Sequence, residues 1–239
     1  MLTAESLESL NAAKTLEYIR TKYWLGLHQR RMPIEIPNVT RDDFARLTFL
    51  LGFTKGVEVG VERGAYSEVL LRENPLLHLS CVDYWRPYVG YRDHVDGRKL
   101  AGFYAETAQR LKPFSARISL IRDLSIEAAK AFADGSFDFV YLDGNHAFEY
   151  LTADLAAWSP KVRAGGIIAG HDFAKYQWPN QIHVVQVIQG WTDAYEIAPW
   201  FVLGRKEKRE GELRDEARSW FYVHDPKPAW RKGQKPIKQ

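Results

Sequence analysis

The sequence has little of what secreted and membrane-spanning proteins need. Its 239 residues include one cysteine, Cys81, so no disulfide can form within the chain. Such cysteine usage is typical of proteins in a reducing compartment. No apolar run approaches the roughly 18 residues of a transmembrane helix, and the N-terminus has no basic segment followed by an apolar block. We therefore expect a cytoplasmic protein with no membrane partner.

The sequence also lacks an excess of basic residues outside its C-terminal segment. The net charge is +3, but five of the 33 basic residues lie within 227–239, where there is no acidic residue. Without them, 28 basic residues face 30 acidic residues. A nucleic-acid-binding domain is expected to carry a basic face on its folded body, and no Asn/Asp-Pro-Pro-Tyr motif is present. We expect no nucleic-acid partner, and we expect residues 225–239 to form a basic, flexible tail.

Short apolar runs alternate with amphipathic segments through the middle of the chain. The runs are GVEVGV (56–61), HLSCVD (78–83), RISLI (117–121), FDFVYLD (137–143) and GGIIAGHD (165–172). This alternation predicts a mostly parallel α/β sheet with helices on both faces. Two later runs, 199–205 and 219–224, predict an antiparallel hairpin at the sheet edge, which makes seven strands. The charged segment between these two runs is expected to be a solvated loop.

Three regions follow from these patterns. Residues 1–52 are expected to form a helical N-terminal cap, with helices at 4–28 and 40–52 joined by a turn-like stretch. Residues 53–224 form the main domain, and residues 225–239 form the tail. The cap is expected either to cover the ligand-binding edge of the sheet or to make a contact between subunits. The second alternative would make the protein a homo-oligomer.

The first chemical motif is the turn after the GVEVGV run. Glu58, Gly60 and Gly64 form an E-x-G-x-x-x-G pattern between a predicted strand and a predicted helix. Glycines at such a turn let a ligand approach the backbone closely, and the helix N-terminus presents free amides. The pattern departs from the dinucleotide fingerprint G-x-G-x-x-G because position 62 is Glu. A purely structural turn is the alternative.

The second motif is a carboxylate at the end of the next run. Asp83 follows Glu58 by 25 residues and could accept hydrogen bonds from two ribose hydroxyls. The neighbouring Tyr84 and Trp85 could pack on an adenine ring, or they could simply pack in the core. The insert Trp85–Arg98 is expected to be either a substrate-contacting loop or a packed surface loop.

The third motif is the most specific one. Asp143 and His146 follow one predicted strand, and His171 and Asp172 end the next. The carboxyl edge of an open α/β sheet is where ligands bind. Four polar groups that end two otherwise apolar strands are difficult to explain by stability alone, so we expect them to form a functional cluster.

Taken in order, these motifs resemble the class I S-adenosylmethionine-dependent methyltransferases. The resemblance runs from about residue 54 to 224 and is strongest over 137–173, where the chain has a D-G-x-H turn and a G-G-x-x-x-x-H-D strand. It implies a Rossmann-like fold and S-adenosylmethionine as cofactor. The resemblance assigns Glu58, Gly60, Gly64, Asp83 and Ser125 to the cofactor, and Tyr84 is expected to contact it because it directly follows Asp83. Asp143 would face the methionine amino group, a metal, or both.

The remaining polar groups suggest the chemistry. A hydroxyl acceptor must lose its proton during methyl transfer, and histidine is suited to this near neutral pH. We therefore expect His146, His171 and Asp172 to be catalytic. Some relatives hold magnesium with acids at these strand ends, so Asp143 and Asp172 are candidate ligands for a divalent ion such as Mg²⁺. His171 stands where such relatives often have an acid, which allows a base role or a different metal.

The function expected from the sequence is O-methylation of a hydroxyl on a small molecule or a sugar derivative. A nicotinamide-dependent oxidoreductase is one alternative, although Glu62 and the lack of a Tyr-x-x-x-Lys pair disfavour it. A non-catalytic cofactor-binding or scaffold protein is the other alternative. The polar cluster at two strand ends disfavours this second alternative.

Overall fold

A computed structural model describes residues 11–26, 31–88, 96–174 and 182–226. Within these ranges the chain forms one eight-stranded sheet in the order β1-β7-β8-β6-β5-β2-β3-β4. Only β8 runs antiparallel to its neighbours. The strands are β1 Ile34–Ile36, β2 Lys55–Val59, β3 His78–Asp83, β4 Ile118–Arg122, β5 Phe137–Leu142, β6 Val162–Gly170, β7 Trp200–Leu203 and β8 Trp220–Val223.

Helices cover both faces of this sheet, as the alternating pattern predicts. They are α1 Ala12–Lys22, α2 Arg41–Leu50, α3 Ala65–Glu73, α4 Gly97–Leu111, α5 Ser125–Ala129, α6 Phe148–Trp158 and α7 Val184–Ala194, with short 3₁₀ turns at Lys112–Arg117 and Ser159–Lys161. Among the described residues, none of these helices has the length and apolar character needed to cross a membrane. The Rossmann-like α/β class is therefore confirmed.

Alternate residues of the central strands face opposite layers, because side chains in a strand alternate between the two faces of a sheet. In β5, Phe139 and Tyr141 pack in one apolar layer, whereas Val140 and Leu142 pack in the other. The first layer includes apolar side chains of α1, α2, α3 and α4. The second includes apolar side chains of α5, α6 and α7. The core thus consists of a sheet with one apolar layer on each face, and the loops at the strand ends lie outside these layers.

The eighth strand lies in the N-terminal segment, in a stretch that the sequence analysis interprets as a turn. Ile34–Ile36 pairs in parallel with β7 through Ile34 and Phe201. The expectation of a purely helical cap over 1–52 is therefore wrong, and the sheet has eight strands instead of seven. Thr15 also donates a hydrogen bond to the carbonyl of Gly165, at 2.8 Å. The described part of this segment is built into the sheet and its core.

The charged connection between β7 and β8 is exposed over residues 206–211, as expected of a solvated loop. It is also held against the N-terminal segment by four bonds. Glu35 pairs with Arg218 at 2.6 Å and accepts from the amide of Lys206. Asn38 accepts from the amide of Leu213, and the amide of Arg41 donates to Asp215. Because Arg41 begins α2, this loop fixes the start of a helix that reaches the candidate site.

Candidate active site

The carboxyl ends of β2, β3, β4, β5 and β6 meet at one edge of the sheet, since these strands are parallel. A cavity of about 780 Å³ opens there, which is the size of a small-molecule or cofactor site. Nine of the ten residues predicted to form the site line this cavity: Glu58, Gly60, Asp83, Tyr84, Ser125, Asp143, His146, His171 and Asp172. Gly64 does not line it. This glycine starts α3 and packs against Thr107 of α4.

Gly60 lies where the turns after β2 and β5 touch. Its φ is +89°, in the left-handed region, and a Cβ at this position would overlap the backbone carbonyl of Asp143. Backbone bonds continue the sheet past the strand ends, from the amide of Asp143 to the carbonyl of Val59 and from Gly60 to Val82. The sequence therefore needs glycine at position 60 to bring these turns together.

The turn at Glu62 is held from three sides. Its amide donates to Asp83, and its carbonyl accepts from the indole of Trp85 at 2.7 Å and the hydroxyl of Thr107 at 2.9 Å. The second oxygen of Asp83 accepts from the amide of Trp85. Trp85 is buried and does not line the cavity, so the adenine contact considered for it is wrong. Each Asp83 oxygen keeps one acceptor position for a ligand.

Glu58 is a buried carboxyl at the end of β2. It is 1% exposed and accepts a short hydrogen bond from Ser67 of α3. Burial raises its pKa to about 8, although the Ser67 hydroxyl acts in the opposite direction. This carboxyl is therefore protonated over much of the neutral range, and it joins the turn after β2 to the following helix.

Asp143, His146, His171 and Asp172 form one cluster at the ends of β5 and β6. The Nε2 atom of His146 lies 3.0 Å from Asp172 Oδ2 and 3.4 Å from Asp143 Oδ1. The Nδ1 atom of His171 lies 3.4 and 3.6 Å from the same two oxygens. Asp172 has a φ of +54°, a costly conformation for a non-glycine residue. The structure therefore brings together the four residues that the sequence analysis placed in a cluster.

The charges in this cluster depend on one another. Burial alone would lower the pKa of His146, but the flanking carboxylates outweigh it and raise that pKa to about 10. Burial would likewise lower the pKa of His171, yet Asp172 and Asp143 raise it. Burial would raise the pKa of Asp172, but the two imidazoles hold it far below its usual value. Positive charge is thus strongly favoured between the carboxylates.

A second buried acid lines the cavity, and the sequence analysis did not single it out. Asp154 of α6 accepts a short hydrogen bond from Ser125, whose oxygen also accepts from the indole of Trp158 at 2.9 Å. Burial raises the pKa of Asp154 to about 7. In the sequence, the signal for this residue is an acid among the apolar residues of α6, directly before Leu155.

Aromatic rings line another part of the cavity. Tyr84 and Tyr88 lie 6.0 Å apart in an edge-to-face arrangement, and Tyr88 and Tyr150 lie 6.1 Å apart. Asn145 donates to the Tyr88 hydroxyl at 3.4 Å. Of the aromatic insert expected to contact substrate, Tyr88 therefore lies at the site, whereas residues 89–95 lie outside the described residues. The rings of Tyr84, Tyr88 and Tyr150 are called the tyrosine wall below.

Comparison with known proteins gives this site a context. Residues 57–173, just under half of the chain, match the family model described as a methyltransferase domain. No curated protein matches the sequence. The matched segment contains β2 through β6 and the cluster at their ends.

Three solved structures with a similar fold are methyltransferases or are provisionally assigned as such. A Staphylococcus aureus protein provisionally assigned as a caffeoyl-CoA O-methyltransferase shares 12% identity over 88% of this chain and 91% of its own, with a TM-score of 0.56. The Bacillus cereus O-methyltransferase in complex with SAH shares 13% over 93% and 92%, with a TM-score of 0.53. The N-methyltransferase NodS from Bradyrhizobium japonicum shares 16% over 77% and 94%, also at 0.53.

These identities show the fold, and the fold is shared by enzymes that methylate different atoms. The matched domain and the fold together support S-adenosylmethionine-dependent methylation. They do not identify the acceptor.

Proposed function

We propose that this chain is an S-adenosylmethionine-dependent methyltransferase that methylates a hydroxyl oxygen of a small molecule or sugar derivative. The observation that carries the proposal is the cluster of two carboxylates and two imidazoles, which lies beside the glycine turn in one cavity. A cofactor held along that turn would place its methyl donor close to groups that can activate a hydroxyl.

The cavity fits the cofactor at each of its parts. The Gly60 turn leaves room for the methionine chain, because no side chain projects from position 60. Asp83 supplies acceptor positions for ribose hydroxyls, and Tyr84 follows it in the lining. Ser125 and Asp154 provide a polar pair near the expected adenine position. When bound, the cofactor supplies an electrophilic methyl group, and the protein mainly aligns it with the acceptor.

The cluster also fits a divalent cation. Asp143, His146 and Asp172 each offer a ligand atom, and these atoms lie within 4.8 Å of one another. The Nε2 atom of His146 is buried yet makes no aligned hydrogen bond among the described residues. Such an ion would stabilise negative charge on the acceptor oxygen. The two carboxylates suit magnesium or manganese, and the imidazole suits iron or zinc.

His171 is then the titratable group of the cluster that is not needed as a ligand. Its Nδ1 atom lies within 3.6 Å of both carboxylates. An ion bound between these carboxylates would offset their charge and leave the imidazole neutral, so that His171 could receive the hydroxyl proton. A general base of this kind typically increases the reaction rate by about 10²–10⁴-fold.

The tyrosine wall favours an acceptor with a flat ring or a sugar face. Aromatic side chains stack on both kinds of group, and their hydroxyls can bond to polar substituents. Leu124 and Ile126, which also line the cavity and are 38% and 42% exposed, flank Ser125 and would add apolar surface near the expected adenine position.

The first test is cofactor binding. S-adenosylhomocysteine should bind the purified chain in calorimetry and raise its melting temperature by mass action. Exhaustive chelation should abolish turnover but leave this binding largely intact, because the proposed ion contacts the acceptor. Absence of both binding heat and thermal shift would reject the proposal, and full turnover after chelation would reject the ion.

The second test is a product-mass screen of sugars, catechols, amines and peptides. We expect methylation of a hydroxyl compound. His171→Ala should lower turnover by at least about 10²-fold while cofactor affinity stays nearly constant. Methylation confined to amines or peptides would reject the oxygen acceptor.

A further inference from the structure

Arg41 is a cation in the cavity that the sequence analysis did not identify. It is the first residue of α2, and it lines the cavity together with Glu58, Gly60 and Asp143. Its backbone is fixed on both sides, since its amide donates to Asp215 and its carbonyl accepts from the Tyr66 hydroxyl, each at 2.7 Å. The N-terminal segment thus delivers one positive charge to a fixed place beside the glycine turn.

The guanidinium of Arg41 is positioned by an aromatic ring, and its N–H groups donate no hydrogen bond among the described residues. It lies over the ring of Tyr66, with 4.8 Å from its central carbon to the ring centre. Its nearest carboxylate oxygen is Asp143 Oδ2, 4.0 Å from Nη1, which is too long for a hydrogen bond. Among the described residues, no atom accepts a hydrogen bond from this side chain, although arginine offers a planar set of N–H donors.

The other cations that line the cavity have more carboxylate neighbours or a more exposed position. Arg63 lies over the ring of Phe103 and within 4 Å of both Glu62 and Glu106, and Arg110 donates hydrogen bonds to Glu68 and Glu106. Lys99 lies on the exposed rim over the ring of Phe103. Among the described cations of the lining, Arg41 thus combines a fixed backbone with a single carboxylate neighbour, and its planar donors could form a bidentate bond with a ligand.

The surroundings of Arg41 are complementary to an amino-acid zwitterion. Asp143 offers a carboxylate to an ammonium group, and 4.0 Å away Arg41 offers donors to a carboxylate. Both groups lie beside the Gly60 turn, on the side where the proposed cofactor would carry its methionine. The tyrosine wall and Ser125 belong to other loops of the cavity. Neighbouring opposite charges of this kind match the α-amino and α-carboxylate groups of one ligand.

We propose that Arg41 binds the α-carboxylate of S-adenosylmethionine while Asp143 faces its amino group. The inference depends on the proposed function, because it assigns binding residues to the amino-acid end of the same cofactor. Arg41 is then a binding residue contributed by α2, outside the segment that matches the methyltransferase domain.

The test compares ligands that differ only at this end. Calorimetry should measure S-adenosylhomocysteine, its neutral α-carboxamide and 5′-methylthioadenosine, which lacks the amino-acid end, on the unmodified chain and on Arg41→Met. The unmodified chain should prefer the carboxylate over the carboxamide by about 10- to 100-fold, as charge-assisted hydrogen bonds do. Arg41→Met should bind both about equally. 5′-Methylthioadenosine should bind both proteins alike, which shows that the variant is folded.

Two further variants sharpen the result. Arg46→Met removes a charge from the same helix, where Arg46 pairs with Glu73 at the surface, and it should keep the full preference. Arg41→Lys should keep part of it, because it retains the charge without the planar donors. Failure of S-adenosylhomocysteine to bind the unmodified chain would overturn the proposed function. Normal binding, with the carboxylate preference intact in Arg41→Met, would overturn the Arg41 assignment alone. Loss of turnover at unchanged cofactor affinity would overturn it in favour of an anionic acceptor.

Discussion

At the residue scale, Gly60 sets how closely two loops of the cavity approach. Gly60→Ala should lower the free energy of unfolding by more than about 2 kcal/mol, because a Cβ overlaps the carbonyl of Asp143 and φ is positive. Cofactor binding should be lost as well. Urea unfolding and calorimetry measure the two effects. Gly102→Ala, in α4 with open space at its Cβ, is the matched change and should raise stability by about 0.5–1 kcal/mol. Equal effects at the two positions would contradict the close approach at Gly60.

The buried carboxyl of Glu58 should make stability depend on pH. Its pKa is about 8 in the folded chain, against an ordinary value of 4.5. Below pH 4.5 both states are protonated, and between pH 4.5 and 8 only the unfolded chain is ionised. Stability should therefore fall as pH rises through this window, by up to about 1.4 kcal/mol per pH unit.

The neutral variant Glu58→Gln isolates this effect from other titrating groups. Its unfolding free energy, measured by urea at pH 5, 6.5 and 8, should fall less steeply than that of the unmodified chain. Glu127→Gln, at an exposed position, is the control for the removal of one titratable carboxyl from the chain. Parallel pH profiles for the unmodified chain and Glu58→Gln would show that Glu58 is ionised when folded.

The sequence predicted the strand-end residues of the site but missed two others. Asp143 and His171 directly follow apolar runs, so their place at the sheet edge follows from the order of the elements. Arg41 and Asp154 lie on helices, where position in sequence does not show which face meets the cavity. Arg41 also depends on pairing between chain segments far apart, because Asp215 fixes its amide.

At the scale of elements, α4 and the Trp85 turn hold the Glu62 carbonyl. Trp85→Phe and Thr107→Val each remove one hydrogen bond to that oxygen. Each should weaken binding of S-adenosylhomocysteine by about 2- to 10-fold, the range expected for one such bond. Calorimetry provides the measurement. Trp191→Phe removes a comparable bond to Tyr222, outside the cavity lining, and should leave affinity unchanged. A similar loss in this control would mean that the effect is general destabilisation.

The strands were predicted where apolar runs are long, and the structure differs where they are short. β1 has three residues, Ile34–Ile36, with prolines at positions 33 and 37, so local pattern favours a turn. It forms a strand because it pairs with β7, which lies more than 160 residues later in the sequence. The loop before β8 is exposed, as its composition predicts. Its bonds to Glu35 and Asn38 could not be predicted, because these partners are far away in the sequence.

At the scale of the whole molecule, the N-terminal segment should be inseparable from the rest. It supplies Ile19, Ile34, Phe44 and Leu47, each at most 3% exposed, to the core. A chain that begins at residue 53 should therefore lose cooperative thermal unfolding, and separately made 1–52 should restore it when added. A cooperative transition in the shortened chain alone would show that residues 1–52 are a detachable cap.

The bond between Glu35 and Arg218 joins residues 183 positions apart, and this separation has a consequence for synthesis on the ribosome. β1 gains its neighbour β7, and then this ion pair, only after the residues up to Arg218 have emerged. Until then the apolar side chains of Ile34 and Ile36 have no sheet to cover them, although β2 and β3 can already pair. Long-range pairing of this kind is slow and leaves apolar surface open to chaperones or to aggregation. Newly made chains should thus add β1 to the sheet only after β7 has been synthesised.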